Sequence, residues 1–228
     1  MPIILRSVLP VLLGLAASGA AQAQSFEARC ASELQSRFQV TSSSAGYAVD
    51  NTVATKVLHN RAVHNSAGDM MLGLTSATSR IEVGIDGHVL QDPGSGRECL
   101  APQISVDLRY LPLQVYVARE FSPSGCPYRA VLDHEMEHVN LYLEHLPKVA
   151  GLVRQELEKR YRGAPLYAAS GADLDALADQ VDAWLWPMIK SEMQRVEIYQ
   201  QAFDSDEESF RLSSACRGEL GLNLRSRY

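Results

Sequence analysis

Asp133-His134-Glu135-Met136-Glu137-His138 stands where the chain changes its hydrophobic period. Upstream, Gln103 to Tyr110 alternates Ile104, Val106 and Leu108 on one side, and Leu113 to Arg119 alternates Val115 and Val117. Both stretches read as strands, joined around Pro112. Downstream of Pro127, the residues Val131, Leu132, Met136, Val139, Leu143 and Leu146 recur at three- and four-residue steps. That spacing predicts a helix ending near Pro147, with a second helix to about Arg162. The hexapeptide therefore falls on a helix that follows strands. Residues four apart share a helix face, so His134 and His138 can offer two imidazole nitrogens to one ion at about 2.0–2.1 Å. Glu135 stands one step round, within reach of a water on that ion without ligating it. A zinc ion brings the pKa of such a water near 7, and the carboxylate takes its proton.

A third ligand has to come from elsewhere. His145 lies two turns beyond His138, about 10 Å away at roughly 1.5 Å per residue. Glu144 has the spacing of a short-spacer metalloprotease ligand, but it lacks the glycine-assisted turn such a site needs. The acidic run Asp204, Asp206, Glu207 and Glu208 is the better source. Asp204 and Glu208 share a helix face, and Glu208 is the first choice, with Glu192 and Glu197 open. The spacing also fits Ser205 capping a new helix with Glu208 in a capping box.

Further out, Tyr47 to Asp50 reads as a short strand, and Asn51 or Thr52 caps a helix running to about Asn65. Met70 to Thr75 and Arg80 to Ile85 read as a strand pair, with Asp86-Gly87 as a turn. Asp92-Pro93-Gly94-Ser95-Gly96 is a loop, and Gln24 to Gly46 is polar and Ser-rich. Gly163 to Gly171 is another loop, and Asp173 to about Arg211 is helical with Pro187 bending or breaking it. The expected fold is α+β and zincin-like: N-terminal antiparallel strands, then an active-site helix and a long C-terminal helical part. One domain over 24–228 is expected, strand-rich over 47–120 and helical over 128–212.

The N-terminus reads as a removable signal peptide over 1–23. Arg6 is followed by the apolar run Val8 to Ala20, too short to span a bilayer, and Ala21-Gln22-Ala23 has the small-x-small form of a cleavage site. Export to the periplasm or medium follows, with no stable membrane insertion after cleavage. The formal charge of -6 gives no reason to expect nucleic acid. The four cysteines fit two disulfides in an oxidising compartment. The expected pairs are Cys99 with Cys126, flanking a strand-rich stretch, and Cys30 with Cys216, near the two ends.

Several residues together resemble a family of secreted zinc-dependent proteases of bacteria, best known as a domain of unknown function. They are Tyr47-x-Val49, Gly73-x-Thr75, Cys99, Ile104-x-Val106, Leu111-Pro112 and Leu132-x-His134-Glu135-x-x-His138. That family carries a downstream Tyr-Asp-x-x-Thr-x-His segment that completes its metal site. The nearest match here is Phe203-Asp204-Ser205-Asp206-Glu207-Glu208-Ser209. Asp204 fits, whereas Glu207 and Ser209 replace the Thr and the His, so either a neighbouring Glu substitutes for the third imidazole or the site is incomplete.

The resulting expectation is an exported zinc-dependent metallohydrolase acting on a peptide or protein substrate. The competing reading is an exported zinc-stabilised binding protein without turnover. Tyr110, Tyr128 and Tyr142 are candidates for stabilising an oxyanion, although ordinary packing explains them as well. Trp184 and Trp186 read as core, and no Gly-x-Ser-x-Gly elbow occurs.

Overall fold

The computed structural model describes residues 24–61, 71–163, 165–169, 171 and 174–221. The expected signal peptide over 1–23, His64 and the end of the first predicted helix lie outside them. The fold is mixed α/β, with two sheets packed on one long helix.

The first sheet has the order β1-β5-β4, from β1 (Arg37–Ser44), β5 (Glu98–Tyr110) and β4 (Ser79–Gln91), with β7 (Leu166–Ala168) on β5. Its inner face is set by register. Val40 and Val83 flank Val106, while Phe38 and Ile85 flank Ile104. The opposite face carries Thr41, Asp107 and Glu82, with the Thr41 hydroxyl donating to Asp107 at 2.8 Å. The second sheet has the order β2-β6-β3, from β2 (Tyr47–Asp50), β6 (Leu113–Val117) and β3 (Gly73–Ser76). Both sheets depart from the antiparallel expectation, because β1 runs parallel to β5 and β2 parallel to β6. Strand order between segments so far apart in sequence leaves no local trace. β1 itself lies in the stretch read only as polar and Ser-rich. It is a half-exposed strand whose inward positions Phe38 and Val40 carry its apolar signal.

Asp86-Gly87 is not a turn, since β4 runs straight through it. A Cβ at Gly87 would come within 2.6 Å of Leu100 and 3.0 Å of Leu174, so the glycine opens a place on the sheet for helix α4 (Leu174–Gln194). Ahead of β1 stands α1 (Phe26–Glu33), capped by Ser25, whose hydroxyl accepts from Ala28 N at 3.2 Å. The short α2 (Thr55–Arg61) buries Leu58.

The central helix, α3, runs unbroken from Cys126 to Tyr161 and holds Pro147 inside it. Proline in a helix interior costs about 3 kcal/mol, through a lost hydrogen bond and a clash with the carbonyl four residues earlier. Pro147 and that partner, Leu143, both face solvent, where water can satisfy the freed carbonyl. The other face buries Leu146, Val149, Val153 and Leu157. Each contributes about 1.5–3 kcal/mol, so burial outweighs the proline. The same explanation covers Pro187, exposed inside α4 while Val181, Leu185 and Ile189 are buried. The chain bends later, at Arg195, and again at Asp204. This leaves α5 (Val196–Phe203) and α6 (Asp206–Ser214) as separate helices.

The two disulfides pair differently from expectation: Cys30 with Cys99, and Cys126 with Cys216. Helix α1 lies against the start of β5, which brings Cys30 to Cys99 with Cα atoms 6.3 Å apart. Cys126 opens α3, and the chain after α6 returns to that end, with Cα atoms 5.8 Å apart. Among the described residues no helix is long and apolar enough to cross a membrane. Peptide mapping without reductant should recover Cys30–Cys99 and Cys126–Cys216 and no alkylatable thiol. A Cys99–Cys126 peptide would contradict the packing of α1 on β5.

Candidate metal centre

Helix α3 presents His134 and His138 one turn apart, as its pitch requires, with ring centroids 4.9 Å apart. Their Nε2 atoms lie 3.2 Å from each other. Asp204, at the bend between α5 and α6, brings Oδ1 to 3.3 Å from His134 Nε2 and 3.0 Å from His138 Nε2. Among the described residues this is the group of His, Cys, Asp and Glu that could hold a metal ion.

The opposite edges of both rings are occupied. His134 Nδ1 faces Glu208 Oε1 at 2.9 Å. His138 Nδ1 faces Gln200 Oε1 at 2.5 Å, while Gln200 Nε2 donates to the His138 carbonyl at 3.1 Å. That second bond fixes which way the Gln200 amide points. Its oxygen must accept, so His138 carries a proton on Nδ1. The Glu208 carboxylate imposes the same on His134. In their neutral forms both rings therefore aim a bare Nε2 lone pair at the other and at the Asp204 carboxylate. Three acceptor atoms in such contact require positive charge between them, supplied by protons or by a cation. Their separations match the roughly 3.3–3.4 Å edge of a tetrahedron with ligand bonds of about 2.0–2.1 Å.

Sequence reasoning chose Glu208 as third ligand, whereas the acid grouped with the two Nε2 atoms is Asp204. Glu208 lies on the outer edge of His134 and is gripped by Arg211, whose Nε donates at 2.6 Å. It also occupies the capping-box position, its N–H donating to Ser205 Oγ at 3.3 Å. Arg211 is the leading cause that holds the Glu208 carboxyl down to about 2. Burial works against ionisation of Asp204, but its bonds to the two imidazoles prevail and hold it well below the usual carboxylate range. Burial also disfavours the imidazolium of His138, yet Asp204 and Glu135 outweigh it and raise the ring to about 8. His134 is raised likewise, by Asp204 and Glu208 against burial.

Glu135 is buried under β3. Thr75 Oγ1 donates to its Oε2 at 2.8 Å and lies 3.2 Å from its backbone carbonyl. Gly73 makes room for it: a Cβ there would collide with the Glu135 carboxylate and come within 2.8 Å of Val131. Burial pushes the Glu135 carboxyl up, against the pull of both imidazoles. Phe203 roofs the pair, its ring stacked on His134 at 5.0 Å and edge-on to His138 at 5.1 Å.

Other sequence candidates lie elsewhere. His145 donates to or accepts from no site residue; its Nε2 meets the Glu192 carbonyl at 2.8 Å. The Tyr142 hydroxyl donates to Glu197 at 3.1 Å, and its ring packs edge-on against Tyr110. Trp184 donates to the Tyr161 hydroxyl at 3.2 Å, consistent with packing. Glu144 is exposed, 4.0 Å from Lys148. Sequence reasoning missed Gln200, Phe203 and the bond from Thr75 to Glu135. Their only advance signals were the Gly73-x-Thr75 pattern and the resemblance's aromatic–Asp pair at Phe203-Asp204.

Compared with protein families, with curated proteins and with solved structures, the chain matches none. The resemblance noted above therefore rests on its own residues.

A proton and a cation would compete for the same three atoms, which predicts opposite pH slopes. His138 is raised above its ordinary value near 6.5. Without metal, the stability it gains from Asp204 is complete below about 6.5 and lost as pH rises through about 8. Calorimetry of chelator-treated protein should show the melting temperature falling across that window. With zinc it should rise there, because the rings must lose protons to ligate. Equal slopes in the two scans would remove the metal reading.

Proposed function

We propose that the chain is an exported, zincin-like, zinc-dependent metallohydrolase acting on peptide or protein substrates. The observation that carries this reading is the convergence of two Nε2 lone pairs and one carboxylate oxygen beside a buried Glu. His134, His138 and Asp204 would hold the ion. When bound, zinc supplies an acidified water and polarises a carbonyl.

The protein's own residues divide the remaining work. Gln200 and Glu208 hold the Nδ1 protons, which keeps both Nε2 atoms free to ligate and fixes the ring planes. Arg211 fixes Glu208 in turn. Glu135 stays off the ion because Thr75 takes its Oε2 and Gly73 gives it room. Its Oε1 is then the atom that accepts a proton and later returns it to a leaving group. Burial raises Glu135 towards the pH at which it must do both. The half-exposed Asp204 side leaves the centre open to a substrate. Two disulfides suit an oxidising compartment outside the cytoplasm.

The roles separate by mutation. Glu135→Gln should retain about one zinc per chain, while hydrolysis of an unfolded-protein or peptide panel falls at least about a hundredfold. Gly73→Ala should lower the rate with zinc retained, by displacing the same carboxylate. Asp204→Ala should lose zinc and activity together, and Glu208→Ala should weaken zinc about 10–100-fold. Metal analysis beside the rate assay checks all four. Full zinc affinity in Asp204→Ala would show that the third ligand is wrong. Wild type with full zinc and no turnover on any substrate would favour the zinc-stabilised binding protein.

A further inference from the structure

We infer that the Cys126–Cys216 bond is a reducible latch on the metal centre, opened by thiol–disulfide exchange with an external dithiol. The inference rests on the zinc reading above and adds its regulation. Two observations carry it.

The first is a contrast in access. Cys30 and Cys99 are both 0 % exposed, sealed by Phe26, Leu34 and Leu90. Cys126 is exposed and Cys216 half-buried, so the second bond is the more open of the two to an attacking thiolate.

The second is what the accessible bond ties together. Cys126 is the first residue of α3, eight residues before His134, or about two turns. Cys216 follows α6, the helix that carries Glu208 and starts two residues after Asp204. Helix α6 has no buried residue of its own. It is held by Glu208, by the half-buried Leu212 and Ala215, and beyond its end by the disulfide and the buried Leu220. The chain at that point also sits in an unfavourable conformation: Cys216 and Arg217 have φ of 57° and 60°, which side-chain-bearing residues rarely adopt. Once the bond opens, these residues are free to relax towards commoner angles, and α6 loses its covalent anchor, keeping only Leu220 beyond its end. The acids it delivers then hold the imidazoles less firmly.

The exchange balances. A dithiol's thiolate attacks one sulfur of the bond and forms a mixed disulfide, and the other cysteine leaves as a thiolate. The dithiol's second sulfur then displaces the remaining cysteine and closes its own disulfide. Two electrons pass from the dithiol to the bond, and two protons complete the thiols of Cys126 and Cys216.

The test uses the folded mature chain and dithiothreitol as the dithiol, removed before zinc is measured. Mass-tag alkylation should label Cys126 and Cys216 while Cys30–Cys99 stays closed. Competition with a chromophoric chelator should then show zinc held at least about tenfold more weakly than by oxidised protein, the lower end of the range for losing an outer partner of a ligand. Reoxidation should restore it. The double variant Cys126→Ser with Cys216→Ser, which has no thiols there to bind zinc, should show the same weakening and no response to dithiol. Circular dichroism checks that both forms remain folded, and if the variant does not fold, the mildly reduced wild type decides. Zinc affinity within about twofold of the oxidised protein in the reduced form overturns the latch, as does failure of the dithiol to open this bond first. An oxidised wild type that binds no zinc instead overturns the metal reading beneath it.

Discussion

The continuity of α3 through Pro147 ties the two sheets and the candidate centre to one another. The helix's first half carries His134, Glu135 and His138, and its second half covers the inner face of β1 and β5, while α4 packs on β4. A stop at Pro147 would have separated these tasks between two helices free to tilt. The solvent-facing position of Pro147 and Leu143 makes continuity tolerable, and the buried row from Val139 to Leu157 makes it favourable. The spacing of the imidazoles is then set by helix pitch, and their depth by packing that begins several turns away.

What the helix does not supply comes from the far end of the chain. The bends at Arg195 and Asp204 turn one predicted helix into α4, α5 and α6, and each bend has a consequence at the centre. α5 buries Gln200 against His138, and its last residue, Phe203, covers both rings. Asp204 then sits between two helices, not on the face of one, which lets a short side chain reach both Nε2 atoms. In a continuous helix Asp204 and Glu208 would stack one turn apart and point the same way. Here they meet opposite edges of the same imidazole.

This explains what could be read in the sequence. The His134–His138 pair, Glu135 between them and the change from strands to helix were legible, because each is written in spacing over a few residues. The identity of the third acid was not. Asp204 and Glu208 are equivalent by spacing alone, and only the bend between α5 and α6 separates them. The parallel pairing of β1 with β5 and the partners of the four cysteines failed for a related reason, since they depend on how distant segments meet. The two prolines misled because local rules see the missing N–H and cannot see which side of the helix faces water. Gly87 misled in a similar way: it looks like a turn residue until Leu174 is seen to need the space.

Charge balance links these elements. With Glu135 ionised, the centre holds three carboxylates, Asp204, Glu208 and Glu135, against the single guanidinium of Arg211. The imidazoles, with Nδ1 protons fixed by Gln200 and Glu208, add no charge when neutral. The deficit of two positive charges is met equally by one proton on each Nε2 or by one divalent cation among the same three atoms. An excess of negative charge that is partly buried is costly, so the site favours one or the other. A solvated patch of histidines and acids would have let the side chains part. Here Gln200 and Glu208 lock the ring edges, and the bend holds Asp204 in place. Separation is therefore a less open way for the two imidazoles to relieve the repulsion.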